Sequence, residues 1–480
     1  MNNNNSKRPL LVDLDGSLLK TDTLFELLLA AIKVNVFVAL LVPFWILKGK
    51  SFLKKSLYEK ANLNIKSLPY NEEVVSYLDK QHSLGRRIIL CTGTWHQIAE
   101  QIKDHFDWID DYKATEETVN LTGKNKQNWA IETFGENGYD YLGNSTVDIP
   151  VWTTAHSAVV VGTDSFIDKC EKHSSINIES HISTDNFSIK TWLKALRIHQ
   201  WAKNGLLFIP IFTAHKFHEY DLIINTILAF ISFGICASAT YIINDLLDLE
   251  ADRAHAVKRN RPFASGNLDL DTGILVSILL LLASLVIGYF VSLAFIVVLV
   301  LYLVVTILYS FYLKKLQTVD VIVLASLFTV RVIAGAAAIN VMPSFWLLSF
   351  SMFIFLSLAL VKRVAELIKT QELKGDTSII GRGYFTADIV ILQSLGGAAG
   401  FIAVLVFALY INSSEVIEQY THPEILWLMC PILGYWIMRI WMLVARNQMD
   451  QDPIFFAIKD RNSWYAAGLA GVVFALASWF

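Results

Sequence analysis

Hydrophobic and polar positions follow two different rhythms along this chain. Over residues 1–170, short apolar runs alternate with polar stretches of helical length. PLLVDLDGSLLKTD (9–22) and RRIILCTGT (86–94) both begin with such a run and end in small or polar residues. Buried parallel strands read this way, so an α/β domain is expected. From about Trp192 onward, apolar runs dominate, with the roughly 20 residues needed to cross a hydrocarbon core. Candidate spans cover roughly 192–213, 222–243, 273–291, 293–312, 319–339, 343–361, 387–411, 424–446 and 464–480. Between the two parts, EKHSSINIESHISTDNFS (171–188) is polar, rich in Ser and Asn, and reads as a linker. An insert at about 20–85 separates the two strand-like runs. Within it, Leu24 to Leu47 is very apolar but interrupted by Glu26, Lys33, Asn35 and Pro43. A full span here would put the two strands on opposite sides of a bilayer. The segment therefore reads as a cap that lies on or dips into the membrane, or as the buried core of that cap.

Composition sharpens the membrane expectation. The 480 residues are 54% hydrophobic, 12% aromatic and only 17% charged, with a mean hydropathy of +0.45. That is too apolar for an ordinary soluble protein. A net charge of −3 with only local basic clusters gives no support for nucleic-acid binding. Cys91, Cys170, Cys236 and Cys430 form no CxxC pair and no metal spacing. MNNNNSKRPL has no apolar stretch of the signal-peptide kind.

Charge fixes an orientation. The loop after the second span carries Arg253, Lys258, Arg259 and Arg261, and the next loop on that side carries Lys314 and Lys315. Lys362, Arg363, Lys369, Lys374, Arg382, Lys459 and Arg461 follow on the same side, whereas the opposite loops hold Lys216. By the positive-inside rule, the charged loops and the N-terminal domain are cytoplasmic in a multi-pass inner or plasma membrane protein. Topology explains these cations but not the acids among them. In NDLLDLEADRAHAVKRNRP (244–262), Asn244, Asp248 and Asp252 recur every fourth residue, which stacks them on one helix face. Oxygen ligands rimmed by bases suit Mg²⁺ bridging to a diphosphate. Glu250 falls off that face and reads as solvated.

NDLLDLEAD resembles the NDxxDxxxD signature of the UbiA superfamily of intramembrane prenyltransferases, whose members have nine helices. The resemblance covers about residues 190–480. RIHQWAKNGLLFIP (197–210), DRAHAVKRNRPFASG (252–266), YSFYLKKLQTVDVIVLASLFTVRVIAGA (309–336), LVKRVAEL (360–367) and DPIFFAIKDRNSW (452–464) make it most similar to decaprenyl-phosphate phosphoribosyltransferases. Aromatic prenyltransferases of the superfamily resemble one another in a second Asp-rich motif. The corresponding place here holds Lys362, Arg363 and Glu366. Bases in place of acids suit a donor with phosphate at both ends, as in phosphoribosyl pyrophosphate (PRPP). The resemblance implies transfer of 5-phosphoribose from PRPP to a polyprenyl phosphate. Asn244, Asp248 and Asp252 would hold Mg²⁺, with Asp245 assisting. Lys203, Asn204, Lys258, Arg259, Arg261, Lys362, Arg363 and Glu366 would contact substrate, and Tyr309, Lys314, Asp320 and Arg331 would form a second tier. Lys314 can equally be an orientation residue, and Arg439 a structural partner for a carboxylate. An ionisable group in mid-span, such as Arg331, is costly and so points to function.

The N-terminal motifs resemble those of haloacid dehalogenase (HAD)-type phosphohydrolases over about residues 8–165. DLDGS (13–17), Thr92-Gly93, Lys126 (with Lys124 as competitor) and YLGNSTVDIPVW (141–152) stand in the family order. The resemblance implies Asp13 as nucleophile, Asp15 as general acid and base, and Thr92 and Lys126 on the phosphate oxygens. Asp13, Asp15, Asn144 and Asp148 would hold Mg²⁺. Asn144 stands where the family commonly has an acid, which puts full-strength metal binding in doubt. The expected architecture is an α/β HAD-like (Rossmann-like) domain with a helical cap (1–170), a linker (171–188) and an all-α polytopic UbiA-like domain of about nine transmembrane helices (189–480). The expected function is phosphoribosyl transfer followed by removal of the 5-phosphate. The alternative is a prenyltransferase using an isoprenyl diphosphate and an aromatic acceptor, with a regulatory or inactive HAD domain. Expected partners are membrane lipids and these substrates, with no nucleic acid and with homo-oligomers left open.

Overall fold

The structure, a computed structural model, describes residues 8–184, 188–375, 382–449 and 452–479. The chain divides into two compact units. One contains the residues up to Leu196 together with Tyr241–Ser277; the other contains Arg197–Thr240 and the residues from Ile278 onward.

The first unit is built on a six-stranded parallel sheet in the order β3-β2-β1-β4-β5-β6. The strands are β1 (Leu10–Val12), β2 (Ile88–Trp95), β3 (Asp111–Thr115), β4 (Asp140–Gly143), β5 (Ser157–Gly162) and β6 (Ile178–Ser183). Strand side chains alternate between faces. Leu10 and Val12 accordingly join one core with Leu90 and the cap residues Leu27, Leu53 and Leu57. Leu11 joins the other with Ile89, Tyr139, Tyr141 and Trp152. Order reverses beside β1, because β2 and β4 flank it, and ligands of open parallel sheets bind at such a point. Residues 178–183, inside the segment expected as a linker, form the edge strand β6. Its polar outer residues masked a short alternation in which Ile182 is the buried member. Residues 185–187 of that segment lie outside the described residues.

The cap insert consists of helices Thr23–Val34, Val38–Leu47, Lys50–Lys60 and Glu72–Ser83. The apolar stretch 24–47 is thus split at Asn35–Phe37 into helices of 12 and 10 residues. Neither reaches the ~20 residues a crossing needs. This unit also contains the end of helix Tyr220–Leu247, the short helix Leu249–Arg253 and the start of helix Leu270–Val291. Arg253 ties that segment to the cap through both carboxylate oxygens of buried Glu26, at 2.6 and 3.1 Å.

The second unit is all-helical. Seven helices are long and apolar enough to cross a membrane, counting those shared with the first unit: Tyr220–Leu247, Leu270–Val291, Leu293–Phe311, Val319–Ala338, Phe345–Glu372, Thr386–Ile411 and Pro423–Ala445. Seven of the nine expected spans are thus matched by such helices among the described residues. Candidate 192–213 is not one helix. It breaks at Arg197, which has a left-handed φ of +50°, and continues as the 3₁₀ helix Ile198–Phe208 and the short helix Ile209–Thr213. The last candidate forms helix Arg461–Trp479, outside those seven. Close helix packing uses small residues. Ser357 Oγ donates to Gly396 O (2.7 Å) and accepts from Trp441 Nε1 (3.1 Å). A Cβ on Gly335 would lie 2.1 Å from the Leu207 carbonyl oxygen.

Candidate active sites

Three groups of functional side chains can be built from these elements. In the first, Asp13 follows β1 directly, and its backbone N–H donates to Leu142 O of β4 (2.9 Å). The next turn is tight. Gly16 has φ +73°, and a Cβ there would meet the Asn144 amide at 2.1 Å. Lys126 is buried on helix Lys124–Phe134, and its Nζ donates to Asp13 Oδ1 (2.8 Å) and Tyr141 OH (2.7 Å). Lys124 is exposed, so of the two lysines it is Lys126 that reaches Asp13. The Tyr141 hydroxyl donates to Asp148 Oδ1 at 2.8 Å. Asp148 Oδ2 accepts from Asn144 N, Ser145 N and Ser145 Oγ at 3.0–3.2 Å. Both oxygens of Asp148, expected on a metal, are thus engaged in holding Tyr141, Lys126 and the 144–145 turn.

Asp15 receives the Thr23 N–H on Oδ1 (2.8 Å) and the Thr94 hydroxyl on Oδ2 (3.0 Å). Thr92 is fully buried, and its hydroxyl accepts from Thr94 N (3.0 Å). Thr94, rather than Thr92, reaches the carboxylates. Burial pushes the Asp13 carboxyl up to about 7, against the pull of the Lys126 ammonium. Burial likewise pushes Asp15 up to about 6. A carboxyl poised near neutrality can give a proton and take one back.

Asp13, Asp15, Thr94, Lys126, Asn144 and Asp148 line a cavity of about 640 Å³. Lys20, Lys50 and Lys54 of the cap also line it, as do Asp22, Asp269 and Asp271. Lys54 is fixed at the end of β2 by Gly93 O and by Asn120 Oδ1 (2.9 Å), and burial lowers its pKa. Asp13, Asp15 and Asn144 give the cavity hard oxygen donors, a set that fits Mg²⁺, although no group of three His, Cys, Asp or Glu poised for a metal occurs among the described residues. Lys54, Thr94 and Tyr141 were not legible as site residues, because nothing in the local sequence marks them.

In the second group, Asn244, Asp248 and Asp252 stay stacked although the long helix stops at Leu247. Asp248 N donates to Asn244 O (3.0 Å) and Asp252 N to Asp248 O (2.8 Å), so i→i−4 bonding runs through the joint. Arg261 bridges Asp252 (2.6 Å) and buried Asp245 (3.0 Å). A cation already stands between two of the motif's carboxylates. Their oxygens fit a magnesium diphosphate by chemistry. Glu250, Lys258 and Arg259 are exposed, as expected for Glu250.

The third group lies in the second unit. Asp320 is fully buried and holds three partners: Tyr309 OH (2.8 Å), Arg363 Nη2 (2.6 Å) and Arg382 Nη1 (3.7 Å). Glu366 pairs with Arg363 and lies 3.6 Å from Arg382 Nε. Arg363, fully buried, also stacks on the Tyr384 ring at 5.4 Å. Lys203 pairs with Asp452, and Lys362 has Lys203, Asp452, Arg382 and Arg363 as its charged neighbours. Sequence reasoning missed Arg382 and Asp452 as members of this network; each sits in a loop far along the chain from its partners. Arg331 is enclosed by Phe233, Tyr302 and Phe328 (5.2–5.5 Å) and donates to Asn204 Oδ1 (3.1 Å) and to Leu327 O. Lys314 is partly buried in the turn Leu313–Lys315. Arg439 is bound at 2.6 and 2.9 Å by Asp460, the structural pairing foreseen. A separate, mainly apolar cavity of about 410 Å³ is lined by residues including Pro210, Trp346, Phe350 and Phe474.

Residues 207–477 match the UbiA prenyltransferase family. A protein designated y4nM from Sinorhizobium fredii is 35% identical over 98% of this chain and 91% of its own length. The decaprenyl-phosphate phosphoribosyltransferase of Mycolicibacterium smegmatis is 38% identical over 36% of this chain, which spans 56% of that enzyme. Among solved structures, phosphoserine phosphatase in its apo form is similar at 16% identity over 37% of this chain and 93% of that one, with a TM-score of 0.27.

Proposed function

We propose, for a chain that belongs to the UbiA prenyltransferase family, a bifunctional membrane enzyme that makes and then dephosphorylates a lipid-linked phosphoribose. Seven apolar helices and the family membership make it an integral membrane protein, and the HAD-like domain and charged loops face the cytoplasm. The first activity moves 5-phosphoribose from PRPP to a polyprenyl phosphate. The C1–O bond breaks with its electron pair leaving on pyrophosphate, and a lipid phosphate oxygen forms the new bond to C1. The attacking oxygen is already anionic, so catalysis rests on positioning and charge neutralisation. Asn244, Asp248 and Asp252 would hold Mg²⁺, which would offset charge on the pyrophosphate. Lys258, Arg259 and Arg261 add to that offset, while Lys203, Lys362, Arg363 and Arg382 serve the second phosphate of PRPP. The observation that supports this choice of donor is the cation surplus of that network, where Lys203, Lys362, Arg363 and Arg382 stand against Asp320, Glu366 and Asp452, because an allylic diphosphate has a single anionic end. The similarity to the mycolicibacterial phosphoribosyltransferase agrees with it.

The second activity removes the 5-phosphate. The Asp13 carboxylate attacks phosphorus, and Asp15 protonates the leaving O5. Asp15 then takes a proton from water, whose oxygen attacks the aspartyl phosphate and releases inorganic phosphate. Lys126, oriented by Tyr141 and Asp148, and Lys54 offset phosphate charge; Mg²⁺ on Asp13, Asp15 and Asn144 would offset more. The donor is tested by incubating reconstituted protein with polyprenyl phosphate and labelled PRPP, and in parallel with labelled isoprenyl diphosphate and an aromatic acceptor. Label entering lipid only from PRPP is expected. Incorporation only from the isoprenyl donor would overturn the reading in favour of prenyl transfer.

A further inference from the structure

The cap helix Val38–Leu47 has no polar side. One face, formed by Val38, Val42 and Trp45, packs on the core of the cap. These residues fall at i, i+4 and i+7, one stripe of an α-helix. The opposite face of a surface helix is ordinarily polar. Here it carries Leu40, Phe44 and Leu47, which are 67%, 64% and 85% exposed. No charged residue occurs between Val38 and Leu47, but Lys48 and Lys50 follow at once, as at a membrane interface where ammonium groups reach headgroups. A helix of 10 residues is about 15 Å long, too short to cross but suited to lying in the interface.

Two further observations say what covers this face. Ile46, on the same helix, lines the cavity that contains Asp13 and Asp15. Leu270, in the wall of that cavity, is the first residue of the apolar helix Leu270–Val291. The catalytic cavity is therefore flanked on one side by an exposed apolar helix and on another by the point where a membrane-spanning helix begins.

We propose that the helix Val38–Leu47 is embedded in the bilayer interface, and that Ile46 and Leu270 form an apolar gate through which a lipid-anchored phosphomonoester enters the phosphatase cavity. The lipid chain stays along the helix while its phosphorylated head reaches Asp13, and Lys50 and Lys54 line the path with positive charge. Free access from water is then unnecessary, and the substrate class of the phosphatase is a lipid-linked phosphate ester. This rests on the reading of the HAD-like domain as a phosphatase; its identification of ribose as the sugar is not needed.

The experiment uses the full chain in nanodiscs of phosphatidylcholine and phosphatidylglycerol. A fluorophore on Leu40→Cys is tested for quenching by nitroxide-labelled lipid, which reports insertion whether or not the enzyme turns over. Hydrolysis is then measured on p-nitrophenyl phosphate in solution, on polyprenyl-phosphoryl-ribose 5-phosphate in the bilayer and on phosphatidic acid in the bilayer. In the triple variant Leu40→Ser, Phe44→Ser, Leu47→Ser, we expect at least a tenfold loss on the bilayer substrates and less than a twofold change on p-nitrophenyl phosphate. Strong quenching at Leu40→Cys is expected as well. Absence of quenching, equal loss on all substrates, or no loss on the bilayer substrates overturns the gate. Turnover of phosphatidic acid with none of the ribosyl lipid would instead retain the gate and remove ribose from the proposed function.

Discussion

The carboxylate cluster of the N-terminal domain and the buried charge network of the helical unit solve opposite electrostatic problems. Around Asp13, carboxylates crowd together. Asp13, Asp15, Asp22, Asp148, Asp269 and Asp271 line one cavity with four lysines, and burial raises the pKa of both Asp13 and Asp15. Around Asp320, acids and bases are matched: two carboxylates, Asp320 and Glu366, meet two guanidinium groups, Arg363 and Arg382. Asp452 likewise answers Lys203, Arg331 is satisfied by Asn204, a carbonyl and aromatic rings, and Lys362 is left as the cation over among these groups. An unmatched charge amid packed helices costs several kcal/mol. A cavity open to solvent tolerates excess negative charge and keeps it for chemistry. Imbalance marks the place where an incoming cation or proton is used; balance marks the place where charge must first be kept soluble in protein.

Substitutions can break this contrast. The largest effect is expected from Asp13→Asn, which should slow dephosphorylation on the order of a thousandfold or more while leaving phosphoribosyl transfer within about twofold. Asp252→Asn should do the reverse, and the two assays on one preparation check both. Next comes Arg363→Ala. It leaves Asp320 buried and short of its strongest partner, and should cost about 3–5 kcal/mol, read as a fall in the thermal midpoint of the detergent-solubilised protein. Arg363→Lys keeps the charge but not the forked geometry, and should recover only part of it.

Asp15→Asn should have the opposite sign. Asp15 is raised from 3.8 to about 6 in the folded chain, so the folded state retains a proton that the unfolded chain has released. Stability then falls as pH rises from 3.8 through about 6, and the penalty persists at neutral pH, at about 1–3 kcal/mol. The amide should raise the unfolding midpoint of the N-terminal domain at pH 7 and flatten its pH dependence over that window, while abolishing turnover. The smallest effect is expected for Lys54→Met. It keeps an unbranched stem out to Cε and removes one ammonium from the cavity, and should raise the KM for the phosphate ester about tenfold with a lesser change in kcat.

How far the sequence could be read differs between the two regions for a physical reason. Asp13, Asp15 and Lys126 sit in contiguous motifs on strand ends and a helix start, so the local sequence already marks them as candidates. Thr94 and Lys54 reach the same cavity through tertiary packing, and no local pattern shows it. The metal role expected of Asp148 could not reveal that both its oxygens would be taken up by Tyr141 and the 144–145 turn. In the helical unit, hydropathy located the apolar helices well. It could not show that 192–213 breaks at Arg197, because apolar content is blind to a left-handed backbone residue. Lys362 and Arg363, with Glu366 one turn on, stood out as bases where acids were expected. Their partners Arg382 and Asp452 come from distant loops, so only the folded chain brings them together. Strand β6 was hidden for a related reason, since an edge strand with polar outward residues looks like a linker.

One measurement tests the coupled reaction most directly. PRPP labelled with ¹⁴C in the ribose and ³²P at the 5-phosphate is given to the reconstituted enzyme with polyprenyl phosphate, and both labels are followed into extracted lipid. The wild-type chain should place ¹⁴C in lipid and release ³²P as inorganic phosphate, whereas Asp13→Asn should leave both labels in lipid at equal ratio. The coupled reading is contradicted if no ¹⁴C reaches lipid, or if ³²P is lost equally from the lipid made by Asp13→Asn.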